Sequence, residues 1–250
     1  MNFIKFIRGI YYILRRCNIP KTLYINFKKF PIKTAMHLPI YVYGKTIFRS
    51  LSGNIIINGK IHTGMVKIGK NDYYVKTAIP LTNWIINGTL IFNGPFKFLN
   101  GGYLCISKNG HLELGCNGFI GTDYKIMCFD KICIGDTLSA TYNIQIYDTS
   151  YHYIQPDSGI IERLTMPIII GDQVWIGNNT TISKGAKIPN ESIIASNSLV
   201  NKDFCTKERT SGIFIAGCPA KIKKNGIRRI FDEDIETKLD SEFGYDRTHL

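Results

Sequence analysis

The chain should wind into an all-β parallel helix of short strands, and three regularities say so. From Ile170 onward an aliphatic residue recurs at every sixth position: Ile170, Ile176, Ile182, Ile188, Ile194 and Val200. Four places after each anchor the residues are mostly small: Val174, Thr180, Ala186, Ser192 and Ser198. The same interval is legible earlier at Leu114, Ile120 and Ile126, and again at Ile134, Ala140 and Ile146 after a shift of two residues. Helices repeat at about 3.6 residues and strands at about 2.0, so neither produces a period of six. A chain that turns a corner after each short strand does. Each anchor then points into a shared interior, and each coil buries its apolar side only by stacking on its neighbours.

Residues 1–50 read as a basic helical or irregular arm, interrupted by Pro20, Pro31 and Pro39. Every charge before Asp72 is positive, and Phe, Ile and Tyr interleave with those cations. Such an arm suits an anionic membrane surface, or it packs on the body with its Lys and Arg solvated. Lys5 and Arg8 interrupt its apolar start and no small-residue cleavage site follows, so it is a poor secretory signal.

Residues 51–222 form the coil. Its first part, to about Leu114, alternates β-formers with Asn-Gly steps (NIIINGKI, WIINGTLIFNG). Those steps fit a hairpin meander as well, and continuity with the later repeats assigns them to the coil. The register breaks at Asp148 and restarts at Ile170, so residues 148–167 must protrude; a loop of that length in a repeat array is more often functional than idle. Residues 223–250 are a tail in which FDEDIETKL reads as a short helix with acids in its first turn.

Composition sets bounds. The chain has 250 residues, 44% of them hydrophobic, with a net charge of +12. No apolar run is long enough to span a bilayer. The seven cysteines include no C-x-x-C pair, which reads as reduced thiols in a cytoplasmic protein. No reading motif accompanies the positive charge, so nucleic acid is not expected as a partner.

The stretch PIIIGDQVWIGNNTTISKGAKIPNESIIASNSLVNKD followed by IAGCPAKI resembles the hexapeptide-repeat acyltransferases, especially the branch of galactoside, maltose and capsular-polysaccharide O-acetyltransferases. The resemblance covers about Leu114 to Lys224. It implies a left-handed coil, a homotrimer, acetyl-coenzyme A as co-substrate without a metal, and a sugar or polysaccharide-precursor acceptor.

Acyl transfer to a hydroxyl needs a base for the proton, donors for the oxyanion and close alignment of both substrates. Imidazole suits the base, since its ordinary pKa of about 6.5 leaves it largely neutral at cellular pH. Of His37, His62, His111, His152 and His249, only His152 stands in the protruding segment, where the resemblance places the catalytic histidine. Asp148 either fixes the tautomer of that ring or opens the loop as a turn residue. Tyr151 and Tyr153 flank the base and either line a sugar pocket or pack. The resemblance maps donor contacts to Trp175, Asn178, Ser196, Asn201, Lys202 and Lys224, and an acceptor contact to Asp123. Ser196, Asn201 and Pro189 depart from the family's usual residues, which puts individual contacts in question. Two other classes compete: N-acetyl transfer to an amino sugar nucleotide, and a coil kept only as a binding scaffold. A zinc hydratase built on such a coil needs converging histidines, and no two histidines lie near each other here.

Overall fold

The structure, a computed structural model, describes residues 17–71, 81–206 and 211–245. The first sixteen residues of the basic arm, and His249, lie outside them.

Successive strands fall in turn on three parallel sheets, so the chain is a triangular prism. Among the described residues the first face has nine strands, the second seven and the third six. Among the strands of these three faces in the described residues, every pairing is parallel except the last, where Ile213–Gly217 and Ala220–Asn225 form an antiparallel hairpin. This is the left-handed β-helix fold. The coil is longer at both ends than expected from the sequence. It begins with strand Ile40–Val42, inside the expected arm, and the hairpin carries the first face to Asn225.

The anchors behave as their spacing requires. Ile176, Ile182, Ile194 and Val200 are buried, and the small residues Thr180, Ala186, Ser192 and Ser198 are buried at the bends beside them. Removing such an aliphatic side chain from water contributes about 1.5–3 kcal/mol. These late coils all take the same length of chain: Ile176 partners Ile194 and Ile182 partners Val200, always three anchors on.

Earlier coils are wider. Leu104 pairs with Ile126 and Ile126 with Ile146, and each of these turns uses more chain than the one from Ile176 to Ile194 or from Ile182 to Val200. Their strands have two inward residues rather than one, as in Leu90 with Phe92 and Ile126 with Cys128. Aromatic rings fill the extra width. Trp84 meets Phe98 edge-on at 5.0 Å, Phe98 meets Tyr124 at 5.3 Å, and the Trp84 indole donates to the Tyr124 hydroxyl at 2.8 Å. The two-residue shift after Ile126 has the same cause: Cys128 and Ile132 are additional inward positions around one corner.

The Asn-Gly steps are corners, not hairpins. A Cβ on Gly88 would stand 2.3 Å from the carbonyl oxygens of Ser107 and Gly110 on the adjacent coil, a gap only glycine tolerates.

Helix α1 (Ile19–Lys29) closes the open end. The Asn18 side chain caps it by accepting from Lys21 N–H, and Pro20 sits in its first turn, so that proline starts the helix rather than breaking it. Its buried Asn26 amide donates to the Ile40 carbonyl at 2.7 Å and accepts from Ile40 N–H at 3.1 Å, while the Thr22 hydroxyl accepts from Val42 N–H. An edge strand that would otherwise expose unpaired groups is thereby covered. A short helix α2 (Ile32–Ala35) follows. Helix α3 (Glu233–Phe243) is the acidic tail helix, capped by Asp232 and ended by Gly244 at φ 71°. Among the described residues no helix is long and apolar enough to cross a membrane.

Candidate active site

Side chains clamp adjacent coils together at the corners. At the corner leading from the third face to the first, Asp136 accepts from Cys116 N–H, Asp172 from Asp136 N–H and Asn190 from Asp172 N–H, all at 2.7–2.9 Å. At the corner from first to second face, Asp123, Asn143, Asn179 and Asn197 occupy equivalent places on successive coils, each with φ between 55° and 59°. Asn and Asp tolerate that conformation better than other side chains.

The corner from second to third face carries the protruding segment. Ile146 pairs with Ile182 across twice the stretch of chain that separates Ile182 from Val200. The insertion is therefore one regular coil's worth of chain, and the strands on either side stay in register. Its root is a short antiparallel ladder: Thr149 bridges Thr165, Ser150 N–H donates to the Leu164 carbonyl and Met166 N–H to the Asp148 carbonyl.

Asp148 is fully buried at this root, and its two carboxylate oxygens accept from Phe129 N–H and Asp130 N–H, each at 2.8 Å. This is the clamp that Asp136 and Asp172 form at the other corner. Burial pushes its carboxyl above the ordinary range, against the opposing pull of the N–H donors of Phe129, Asp130 and Lys131. The carboxylate thus clamps the preceding coil, a role that neither of its two sequence readings described. Among the described residues no hydrogen bond joins Asp148 to the His152 ring, because both oxygens are held by the coil beneath.

His152 stands exposed near the start of the loop, next to Tyr151, whose φ is 60°. Tyr151 folds back onto the prism: its hydroxyl donates to the Met127 sulfur and its ring meets Phe129 edge-on at 5.1 Å. Burial pushes its phenol up to about 12. The ring thus packs, and it fixes the loop beside His152. Tyr153 is 72% exposed and lines a cavity of about 600 Å³ with Asn109, Phe129, Asp130 and Arg163.

The remaining expected contacts divide between places. Trp175 and Lys224 share one outward column of the first face, where Ser139, Trp175, Ile193, Phe214 and Lys224 are successive partners. Asn178 and Ser196 lie at the next corner, with Asp123 further down the same edge. There the Asn178 amide donates to the Tyr142 hydroxyl at 2.8 Å and accepts from the Ser196 hydroxyl at 2.6 Å. Ser196, which departs from the family's usual residue, is thus a rung of this ladder. Asn201 and Lys202 are exposed at the corner that bears His152, and the Lys202 ammonium stands 5.2 Å from the Phe204 ring centroid. Burial raises the Asp123 carboxyl. Asp123 is the corner residue of its coil, on a different edge of the protomer from His152.

Two residues at these places carried no sequence signal. Arg229, from the tail, crosses the first face with its guanidinium 5.7 Å from the Trp175 ring and 4.7 Å from Phe231, and donates to the Ser139 hydroxyl. Lys184 reaches into the root of the loop. A residue far along the chain that reaches a site only through winding leaves no local pattern.

The chain is similar in repeat and coil to the hexapeptide-repeat acyltransferases. It is 28% identical over 130 residues to the galactoside O-acetyltransferase of Escherichia coli K12, an overlap of 51% of this chain and 59% of that protein. The chain thus spans about three-fifths of that curated relative's length. Two solved structures share the fold. One is a polysialic acid O-acetyltransferase, OatWY, at 21% identity and a TM-score of 0.53, with 81% of this chain and 97% of that chain covered. The other is a polysialic-acid-specific acetyltransferase, NeuO, at 18% identity and a TM-score of 0.52, with 82% and 84% covered. No family model matches the chain.

Proposed function

We propose that this protein is an acetyltransferase that moves the acetyl group of acetyl-coenzyme A to a hydroxyl of a sugar, with His152 as general base. One observation carries the reading: an exposed imidazole on a loop one coil long, inserted at the corner from second to third face between strands that stay in register on either side. The similarity to a galactoside O-acetyltransferase supports it.

In this scheme the acceptor oxygen attacks the thioester carbonyl carbon while its proton passes to the imidazole. The tetrahedral intermediate then expels the thiolate, and the imidazolium returns the proton to sulfur. Backbone N–H groups beside the coil would hold the oxyanion. Asn178 and Ser196 have the amide and hydroxyl groups that a pantetheine arm bonds, Lys202 and Lys224 would offset phosphate charge, and Trp175 would pack against the arm.

These groups lie on different faces and edges of one protomer. A donor that touches all of them has to lie between protomers, which supports a cyclic homotrimer; sedimentation at a monomer mass under assay conditions would contradict it. The acceptor is best sought among sugars of surface polysaccharides or their lipid-linked precursors, handled in the cytoplasm. The basic arm would bring the enzyme to the inner membrane surface, and failure to sediment with phosphatidylserine vesicles at low salt would remove that part.

The test is an acceptor screen. The protein is incubated with acetyl-coenzyme A and neutral galactosides, maltose, sialyl oligosaccharides or amino sugar nucleotides, and products are read by mass spectrometry. An alkali-labile acetyl ester on a sugar is expected. An alkali-stable amide on the amino sugar would mean N-acetyl transfer instead, and neither product nor free thiol would remove the enzyme reading.

A further inference from the structure

Lys184 stands in the turn after strand Thr181–Ser183, one coil beyond the root of the inserted loop, since Tyr147 and Ser183 are partners across the second face. Its side chain is only 17% exposed. The ammonium donates to the Arg163 carbonyl at 2.9 Å and to the Ser150 hydroxyl at 3.3 Å, and lies 3.7 Å from the Glu162 carboxylate. Its three N–H groups thus face three acceptors, one on the outgoing arm of the loop and two on the returning arm. The Ser150 hydroxyl in turn donates its single proton to the carbonyl of His152 at 3.0 Å, shared with that of Leu164 at 3.3 Å.

Beyond the Ser150–Leu164 rung, one backbone hydrogen bond links the two arms among the described residues, from Glu162 N–H to the Ile154 carbonyl at 3.2 Å. The segment bearing His152 is therefore held chiefly from outside the loop. Tyr151 grips it on the side of the second face, and Lys184 grips it from the next coil.

We infer that Lys184 is a positioning residue: its ammonium pins both arms of the loop to the coil and, through the Ser150 hydroxyl, fixes the backbone that carries the His152 imidazole. This rests on the reading of His152 as general base. A base must stay within hydrogen-bond reach of the proton it takes, and misplacement by about 1 Å can cost about 100-fold in rate. Lys184 touches no substrate in this scheme and acts only through the loop. Its replacement leaves no buried unpaired charge, because Glu162 is 60% exposed.

The experiment compares the full-length parent with Lys184→Met, Lys184→Arg, His152→Ala and the double variant Lys184→Met/His152→Ala. Thiol release from acetyl-coenzyme A is followed with excess methyl β-galactoside and with water as acceptor. Lys184→Met is expected to lower kcat about 10- to 100-fold with KM for acetyl-coenzyme A within about 2-fold. Lys184→Arg, which keeps the donors, should recover most of the rate. Lys184→Met should change nothing further where His152 is already absent.

Amide hydrogen exchange supplies a readout independent of turnover: Lys184→Met should speed exchange at residues 150–154 and 162–164 about 10-fold and leave the coil strands unchanged. Parent kcat in Lys184→Met, an equal fall with and without His152, or unaltered loop exchange each overturns the proposal. His152→Ala at the parent rate overturns both this inference and the general-base reading; His152→Ala impaired beside an unimpaired Lys184→Met overturns the inference alone. Should Lys184→Met not fold, Ser150→Ala removes the same relay, and a kcat and loop exchange equal to the parent's would be decisive against it.

Discussion

Replacing Asp148 separates two roles that one carboxylate at the root of the loop can play. In Asp148→Ala the N–H groups of Phe129 and Asp130 lose acceptors that stand at 2.8 Å in a fully buried place. A buried donor left unpaired costs about 1–3 kcal/mol. Two donors are stranded and water reaching the opened corner recovers part of the cost, so the expected loss is about 2–4 kcal/mol. Asp148→Asn keeps one carbonyl oxygen for one of the two donors and turns an amide N–H toward the other. About half of the loss is therefore expected. Urea unfolding followed by circular dichroism measures both, at fixed protein concentration because an oligomer's stability depends on it. Activity should fall only as far as the loop loosens. If Asp148→Ala unfolds at the parent's urea midpoint while turnover collapses, the clamp argument is wrong and the carboxylate serves the imidazole.

Three further outcomes follow from the same geometry. Tyr124→Phe strands the buried Trp84 indole N–H, now bonded at 2.8 Å, and should destabilise the wide end by about 1–3 kcal/mol in the same urea assay. Gly88→Ala forces a Cβ to within 2.3 Å of two carbonyl oxygens on the adjacent coil and should cost about 3 kcal/mol, read as a lowered unfolding midpoint. Asp148 also contributes a pH dependence. Its native carboxyl titrates above the ordinary aspartate value of 3.8, so between the two values the native state binds more protons than the unfolded chain. Its contribution to stability is therefore full below the unfolded value and is lost as pH rises through the raised native one. The difference in stability between parent and Asp148→Asn should thus narrow with rising pH across that window, and a difference that widens would reverse the sign of the shift.

The later coils were legible because each strand there points a single Ile or Val inward and every coil spans three anchors, which leaves a clean period of six. The earlier coils follow the same winding, yet paired inward residues and extra corner residues in each longer turn erase that period. Trp84, Phe98 and Tyr124 read as ordinary apolar positions, and only the winding makes them one stack. The protruding loop was legible as a break in register, and His152 with it. The first strand, Ile40–Val42, was hidden inside the basic arm because so short a strand has no period of its own. Asp148 was ambiguous for a physical reason: an acid four places before a histidine looks the same whether it bonds the ring or the coil beneath. Asp123 resembled an acceptor contact, and the structure gives it the conformation that its corner shares with Asn143, Asn179 and Asn197. Arg229 meets Ser139, far away in sequence, and no local pattern announces that contact.

The most direct test of the central claim is the rate of thiol release from acetyl-coenzyme A by the parent and by His152→Ala, in the presence of whichever sugar accepts the acetyl group. With the imidazole as general base, its removal should lower kcat by at least ~100-fold while the coil still unfolds at the parent's midpoint. Equal rates in two equally folded proteins would contradict the account.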